Sequence, residues 1–193
     1  MSPLKTAYQG KRVLVTGHTG FKGSWLTKWL LSLGAEVAGY ALDPLLHETL
    51  DAELGISDRL SVDCRADLSD RVALNRLVVD FVPEVIFHLA AQPLVRLSYA
   101  IPVETFATNV LGTVHLLDAI RLCGSSCAVV CVTTDKCYEN REWSHAYREE
   151  DAMGGHDPYS ASKGAAELAI ASYRKSFFPT NGPSVLPLRV QVT

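Results

Sequence analysis

No apolar run in this sequence approaches the roughly 20 residues that a helix needs to cross a bilayer, and its first residues lack the apolar core of a secretion signal. A cytoplasmic location is therefore expected. Cysteine is sparse and odd in number (Cys64, Cys123, Cys127, Cys131, Cys137), with no CxxC pair. That argues against a disulfide framework and for a reducing compartment. Cys123, Cys127 and Cys131 recur every four residues, so a metal-binding face and a set of buried small apolar side chains are both open. The spacing straddles a helix end, a turn and a strand, which favours burial. Basic residues are not in excess: 18 Lys and Arg face 21 Asp and Glu, for a net charge of −3. Nucleic acid and anionic membrane surfaces are poor partners for such a chain. Internal repeats, low-complexity tracts and linkers are missing as well. What is present is 193 residues, 48% hydrophobic and 20% charged, enough for a single domain, expected over residues 1–193.

Strand-like apolar runs alternate with helical patterns. Strands read at Arg12–Thr16, Glu36–Ala41, Leu60–Asp63, Glu84–Leu89, Ala128–Thr133 and Val185–Val190. The first, fourth and fifth are nearly continuous apolar runs, as in a parallel sheet covered on both faces. Helices read at about Gly23–Leu33, Ser69–Phe81, Val103–Cys123 and Tyr159–Phe178. In the first, Trp25, Leu26, Trp29, Leu30 and Leu33 form an apolar stripe that predicts the buried face. The alternation implies an α/β fold, a Rossmann-type doubly wound parallel sheet with helices on both faces and strand order 3-2-1-4-5-6.

The stretch "RVLVTGHTGFKG" sets Gly17, Gly20 and Gly23 between the first strand and the first helix. Glycines there permit a tight turn and close backbone approach to a pyrophosphate, and the helix N-terminus offers unpaired N–H groups. The context of strand, glycines and amphipathic helix is the one this motif requires. Asp43 follows the second strand, 20 residues after Gly23. A carboxylate there accepts hydrogen bonds from both ribose hydroxyls of NAD and repels a 2′-phosphate. It can equally be an ordinary turn residue. No Arg or Lys lies between Lys28 and Arg59 to favour NADP. Asp67 can contact the adenine amino group or cap the next helix. In "HLAAQ", the small Ala90 and Ala91 let a dinucleotide pass over the sheet edge, while His88 reads as a satisfied buried histidine rather than a catalyst.

Thr133 and Thr134 close the fifth strand, at the edge where such folds bind ligands. Tyr159 and Lys163 are one helical turn apart and share a face. An ammonium beside a phenol favours the phenolate, so the Tyr159 pKa is expected to be lowered, making a base usable near neutral pH. Asp135 and Lys136 follow Thr134 directly. They are either a solvated pair or part of the chemistry.

The segments "GHTGFKGSWL", "FHLAAQPLVRLSY", "TNVLGTVHLL", "TTDKCYENREW" and "GGHDPYSASKGAAEL" resemble the extended short-chain dehydrogenase/reductase family, and within it the CDP-glucose 4,6-dehydratases. The resemblance covers residues 10–178. The GxxGxxG spacing is shared with that family; Asp135-Lys136 replaces the Asp-Glu of the dTDP-glucose dehydratases. The resemblance implies NAD as cofactor, CDP-glucose as substrate and a homodimer joined by a four-helix interface. It places Thr19, Phe21, Lys22, Leu68, Leu89 and Thr108 beside the cofactor, together with Gly17, Gly20, Gly23, Asp43, Asp67, Ala90, Ala91, Thr133, Tyr159 and Lys163. It assigns Tyr159, helped by Thr134 and Lys163, to the 4-hydroxyl proton as hydride leaves C4. Lys136, expected to be desolvated, takes the C5 proton, and Asp135 protonates the leaving 6-hydroxyl. The product is a 4-keto-6-deoxy sugar. For the dimer, the expected apolar stripe is Phe106, Val110, Val114 and Leu117, packed with Ala161, Ala165, Ala169 and Ser172.

The last strand diverges from the family: Arg189 matches its arginine, whereas Val190, Gln191 and Val192 do not match the family's next residues. The family's substrate lobe is not present in the sequence, so a truncated cofactor domain is expected. An inactive NAD-binding fragment and another nucleotide-sugar epimerase or dehydratase stay open as alternative readings.

Overall fold

The computed structural model describes residues 2–44, 50–178 and 189–191. The elements run α1 (Pro3–Tyr8), β1 (Arg12–Thr16), α2 (Phe21–Ser32), β2 (Glu36–Ala41), α3 (Leu50–Glu53), β3 (Val62–Arg65), α4 (Arg71–Phe81), β4 (Val85–His88), α5 (Val95–Ala100), α6 (Pro102–Phe106), α7 (Gly112–Cys123), β5 (Ala128–Val132), α8 (Pro158–Ser176) and β6 (Arg189–Gln191). The sheet is parallel, in the order β3-β2-β1-β4-β5-β6. Of the sixth strand expected over Val185–Val190, residues 185–188 lie outside the described residues.

Because successive strand residues point to opposite faces, β1 divides its apolar side chains between two cores. Leu14 joins Tyr40, Ile86, Leu116, Leu117 and Ile170 on the face covered by α4, α7 and α8. Val13 and Val15 join Leu30 and Val37 on the other. All three β1 residues are fully buried, which is why the run has no polar alternation.

Three expectations about packing faces need correction. In α2 the buried residues are Gly23, Ser24, Thr27 and Leu30, while Trp25 and Trp29 are about half exposed. Near the phosphate loop the inner face of the helix carries small side chains, Gly23, Ser24 and Thr27, with Leu30 entering the core farther along, and the indoles are turned outward. Leu117 is fully buried in the sheet-side core, so it cannot belong to an external stripe. The third strand starts at Val62 rather than Leu60, because Leu60 closes a 3₁₀ turn over Ser57–Arg59.

The helix expected over Val103–Cys123 is built from α6, a wider π turn at Ala107–Leu111 and α7. Such turns re-aim side chains and often mark functional sites. Here the turn buries Asn109, whose side chain donates to the Gln92 carbonyl (3.1 Å) and to Ser162 Oγ (2.9 Å) and accepts from the Gln92 N–H (2.8 Å). It thereby ties the β4 exit to α8. Among the described residues, no helix is long and apolar enough to cross a membrane.

Gly17 has φ +76°, and a Cβ on it would stand 2.8 Å from the Ala90 nitrogen; a Cβ on Gly23 would stand 2.0 Å from the Gly17 carbonyl oxygen. Helix propensity alone favours alanine over glycine by about 1 kcal/mol, but that contact is between backbones and has no flexible end to yield. Gly23→Ala is therefore expected to destabilise the fold by about 1–3 kcal/mol net, read as a lower urea midpoint at unchanged slope. An unmoved midpoint would show that the loop has slack.

Candidate functional site

Five strand ends and the loop after β1 enclose a cavity of about 510 Å³. Its floor is the phosphate loop: Gly17, Thr19, Gly20, Phe21, Lys22 and Gly23 all line it. Gly20 is the residue preceding α2 and has no side chain to cap it, so N–H groups of the first turn face the cavity as unsatisfied donors with the positive end of the helix dipole. A Cβ on Gly20 would meet only the Gly17 oxygen at 3.4 Å, an ordinary contact. Gly17 and Gly23 thus serve the fold, whereas Gly20 keeps backbone open to a ligand. This cradle fits a pyrophosphate.

One wall comes from β2 and β3. Tyr40, Ala41, Leu42, Ala66, Asp67 and Leu68 line it. The Tyr40 hydroxyl donates to the Asp67 carbonyl at 2.6 Å, and burial, reinforced by Cys64 and nearby carboxylates, holds its proton on. Asp67 accepts from the Ser69 N–H at 2.7 Å, and the cap of α4 is Asp70, which accepts from the Ala73 N–H at 3.0 Å. Of the two roles open to Asp67, helix capping is therefore taken by a different residue. Asp43 is exposed just beyond Leu42 and is not among the lining residues.

The β4 exit contributes Leu89, Ala90, Ala91 and Pro93, and the π turn contributes Thr108. Beneath them His88 is buried, its Nδ1 2.7 Å from Thr16 Oγ1 and its Nε2 3.0 Å from Thr113 Oγ1. Both ring nitrogens are satisfied within the core, as the sequence reading expected. Burial first, then the positive Lys163, pushes its pKa down to about 3.

At the far end stand Val132, Thr133, Tyr159 and Lys163. Asp157 caps α8, accepting from the Ser160 N–H at 2.9 Å. The Tyr159 N–H donates to Ser98 Oγ on α5 at 3.2 Å. These contacts fix the first turn, where Tyr159 and Lys163 are each 8% exposed. Burial dominates both groups. It holds the Tyr159 phenol above its ordinary pKa, with the Thr134 hydrogen bond opposing and Asp135 and Asp157 adding to the rise. This corrects the expectation of a lowered tyrosine: desolvation is the largest influence on the phenol and raises it. Burial also lowers the Lys163 pKa, against Cys131 and Glu167 and with Lys22.

A 3₁₀ turn over Asp135–Cys137 follows β5, capped by Thr134, which accepts from the Lys136 N–H at 3.3 Å and donates to Asp135 Oδ1 at 3.0 Å. Asp135 and Lys136 are exposed and outside the cavity lining. The desolvation expected of Lys136 is thus absent: the turn faces outward after Thr134. The sequence reading missed Tyr40, Ala41, Leu42, Ala66, Pro93 and Val132 as lining residues. The signal was available for most of them, since they sit at or just past the carboxyl ends of strands. It also missed Glu167, one turn after Lys163, which accepts the Thr133 hydroxyl.

Comparison with known proteins adds identity to geometry. The family described as GDP-mannose 4,6 dehydratase matches residues 14–180. A CDP-glucose 4,6-dehydratase of Salmonella typhimurium is 53% identical over 178 residues, covering 92% of this chain and 49% of that protein. A dTDP-glucose 4,6-dehydratase from Streptomyces venezuelae, solved with NAD bound, superposes with TM-score 0.77 at 28% identity, covering 94% of this chain and 52% of that one. A Thermus thermophilus UDP-glucose 4-epimerase in complex with NAD gives TM-score 0.73 at 31% identity, covering 94% and 53%. The chain spans about half the length of the relatives it matches.

His88 makes stability depend on pH with a definite sign. Its folded pKa, about 3, lies below the ordinary 6.5. Between those values the unfolded chain binds a proton that the folded chain refuses, so stability falls as pH falls through 6.5. At pH 5 the contribution is about 2 kcal/mol. His88→Gln keeps hydrogen-bonding capacity without a titrating nitrogen. Its loss of unfolding free energy between pH 7 and pH 5 is expected to be smaller than the wild type's by that amount. Equal losses in urea titrations would contradict the assignment.

Proposed function

Because the chain belongs to the GDP-mannose 4,6 dehydratase family, we propose that it holds NAD in the cavity just described and acts as a nucleotide-sugar 4,6-dehydratase on CDP-glucose. The observation that carries this reading is the joining of the phosphate loop and the Tyr159–Lys163 pair in one cavity of about 510 Å³. The choice of CDP-glucose is supported by 53% identity to a CDP-glucose 4,6-dehydratase, against 32% and 28% to two dTDP-glucose dehydratases that match a similar share of the chain.

NAD, when bound, supplies the hydride acceptor and donor that such a reaction needs. The Gly20 backbone and the first turn of α2 would hold its pyrophosphate, Asp67 and Leu68 would receive the adenosine, and Asp43, just past the β2 exit, would serve the ribose. Tyr159 receives the proton of the sugar 4-hydroxyl. Its phenol is protonated at rest, so it works as a base only while Lys163 is an ammonium ion that favours the phenolate. Thr134, the group that works against the rise in the Tyr159 pKa, orients the phenol. Asp135 serves as acid for the departing 6-hydroxyl and Lys136 as base for the C5 proton; they follow Thr134 directly in the chain, on the exposed turn outside the cavity lining.

The same reading includes a homodimer. Val103 and Leu111, each more than half exposed, lie beside the partly exposed Phe106, and Leu168 on α8 is likewise open. This face, revised to exclude Leu117, is the candidate contact. Light scattering at micromolar concentration is expected to give twice the chain mass, and a monomer would count against it.

Calorimetric titration is expected to show NAD binding, NADP binding at least tenfold more weakly through repulsion by Asp43 (about 1.4 kcal/mol), and no NAD binding to Gly20→Val. Equal affinity of that variant and the wild type would remove the phosphate-loop assignment. With NAD and CDP-glucose, a 4-keto sugar is expected from its absorbance in alkali, formed about 10²–10⁴-fold more slowly by Lys136→Ala. An unaltered rate would leave Lys136 outside the chemistry.

A further inference from the structure

Glu167 lies on α8 one turn beyond Lys163, and residues four apart on a helix share a face. It is half-buried and accepts a hydrogen bond from Thr133 at the end of β5. The turn carrying Asp135 closes over the same stretch of helix: a Cβ on Gly164 would stand 3.2 Å from the Cys137 carbonyl oxygen. The carboxylate is thus held between strand end, turn and helix.

Lys163 is nearly buried, and a buried ammonium is costly without a compensating charge. The ionisable groups acting on it come from four elements: Cys131 of β5, Glu167 of α8, Lys22 of α2 and His88 of β4. Cys131 keeps its proton, its pKa pushed up to about 12 by burial. His88 is neutral above about pH 3. Lys22 repels. Among the described residues, Glu167 is the one carboxylate acting on Lys163, and no ion pair within 4 Å joins them, so it acts through space from a fixed position.

We propose that Glu167 is a positioning residue of this site: its carboxylate, tied to Thr133, is the counter-charge that keeps Lys163 an ammonium ion in its buried place. The proposal rests on the reading of Lys163 as the partner of Tyr159, and it extends that reading to a group outside the Tyr-x-x-x-Lys pair. A charge role separates from a packing role by substitution. Glu167→Gln keeps the shape and an oxygen to accept the Thr133 hydroxyl but removes the charge. Glu167→Asp keeps the charge and shortens the side chain.

The test is competitive acylation with acetic anhydride across a range of pH, read by mass spectrometry on the Lys163 peptide, with exposed Lys175 as internal standard. Loss of one nearby opposite charge shifts a buried amine by about one pH unit or more, so below its midpoint Lys163 of Glu167→Gln is expected to react about tenfold faster than wild type. Glu167→Asp is expected to stay within about twofold of wild type. Wild-type reactivity in Glu167→Gln, or an equal increase in both variants, would overturn the proposal; if Glu167→Gln does not fold, a tenfold rise in Glu167→Asp alone would also do so. NAD titration of the same wild-type sample tests the cofactor reading separately, because acylation reports on Lys163 whether or not NAD binds.

Discussion

The approach of α2 to the loop after β1 is the constraint on which the rest of this structure depends. Gly23 rests against the Gly17 carbonyl, and Gly17 in turn rests against Ala90 at the β4 exit. Three elements therefore meet through backbone alone. With no side chain between them, the N-terminus of α2 is brought down onto the sheet edge and its free N–H groups open into the cavity. The same closeness keeps the first turns of α2 small on their inner face, at Gly23, Ser24 and Thr27, while Leu30 fills the core farther along and Trp25 and Trp29 stand outward. A feature of the binding site thus dictates the packing of a whole helix.

At the opposite end the governing term is dehydration. Tyr159 and Lys163 are both driven toward their uncharged forms by burial, which is the reverse of what a phenolate–ammonium pair needs. Charge must be supplied by neighbours, and the neighbours are few. Thr134 and Glu167 are placed to help, Asp135 and Lys22 to hinder. The charge states of Tyr159 and Lys163 are a balance among groups drawn from α2, β5 and α8, and Asn109 ties α8 to the β4 exit through its bonds to Gln92 and Ser162.

The strand order was legible in the sequence because the buried runs at Arg12–Thr16, Glu84–Leu89 and Ala128–Thr133 are continuous, and because helical connections between parallel strands of a twisted sheet cross over right-handed. The glycines and the Tyr-Lys spacing were legible because each is a local rule. What escaped were relations across the chain. Whether Trp25 faces in or out is decided by how near α2 lies to the loop. Whether Tyr159 titrates up or down is decided by burial contributed by α5, β5 and the 134–137 turn together. The exposure of Lys136 follows from a 3₁₀ turn whose cap, Thr134, read from sequence as a strand-end neighbour rather than a cap. Glu167 carries no motif of its own; only the folded register puts it against Thr133.

His18, the second residue of the glycine loop, is fully buried, its Nε2 3.0 Å from Asp63 Oδ1. Its ring occupies the space a side chain would need at Gly39: a Cβ there would stand 2.6 Å from it. Arg65 holds the same Asp63 at 2.7 Å from both guanidinium nitrogens that reach it. The two positions, 18 and 39, are therefore alternatives for one volume. In sequence drift they cannot change in either order. A side chain can enter position 39 only after position 18 has shrunk, and that first step leaves Asp63 without its imidazole partner, with Arg65 still bonded to it. The loop's composition is thus coupled to a strand residue that never touches the cavity, and a variant library that varies the loop while fixing Gly39 leaves out every sequence in which the two positions exchange that volume.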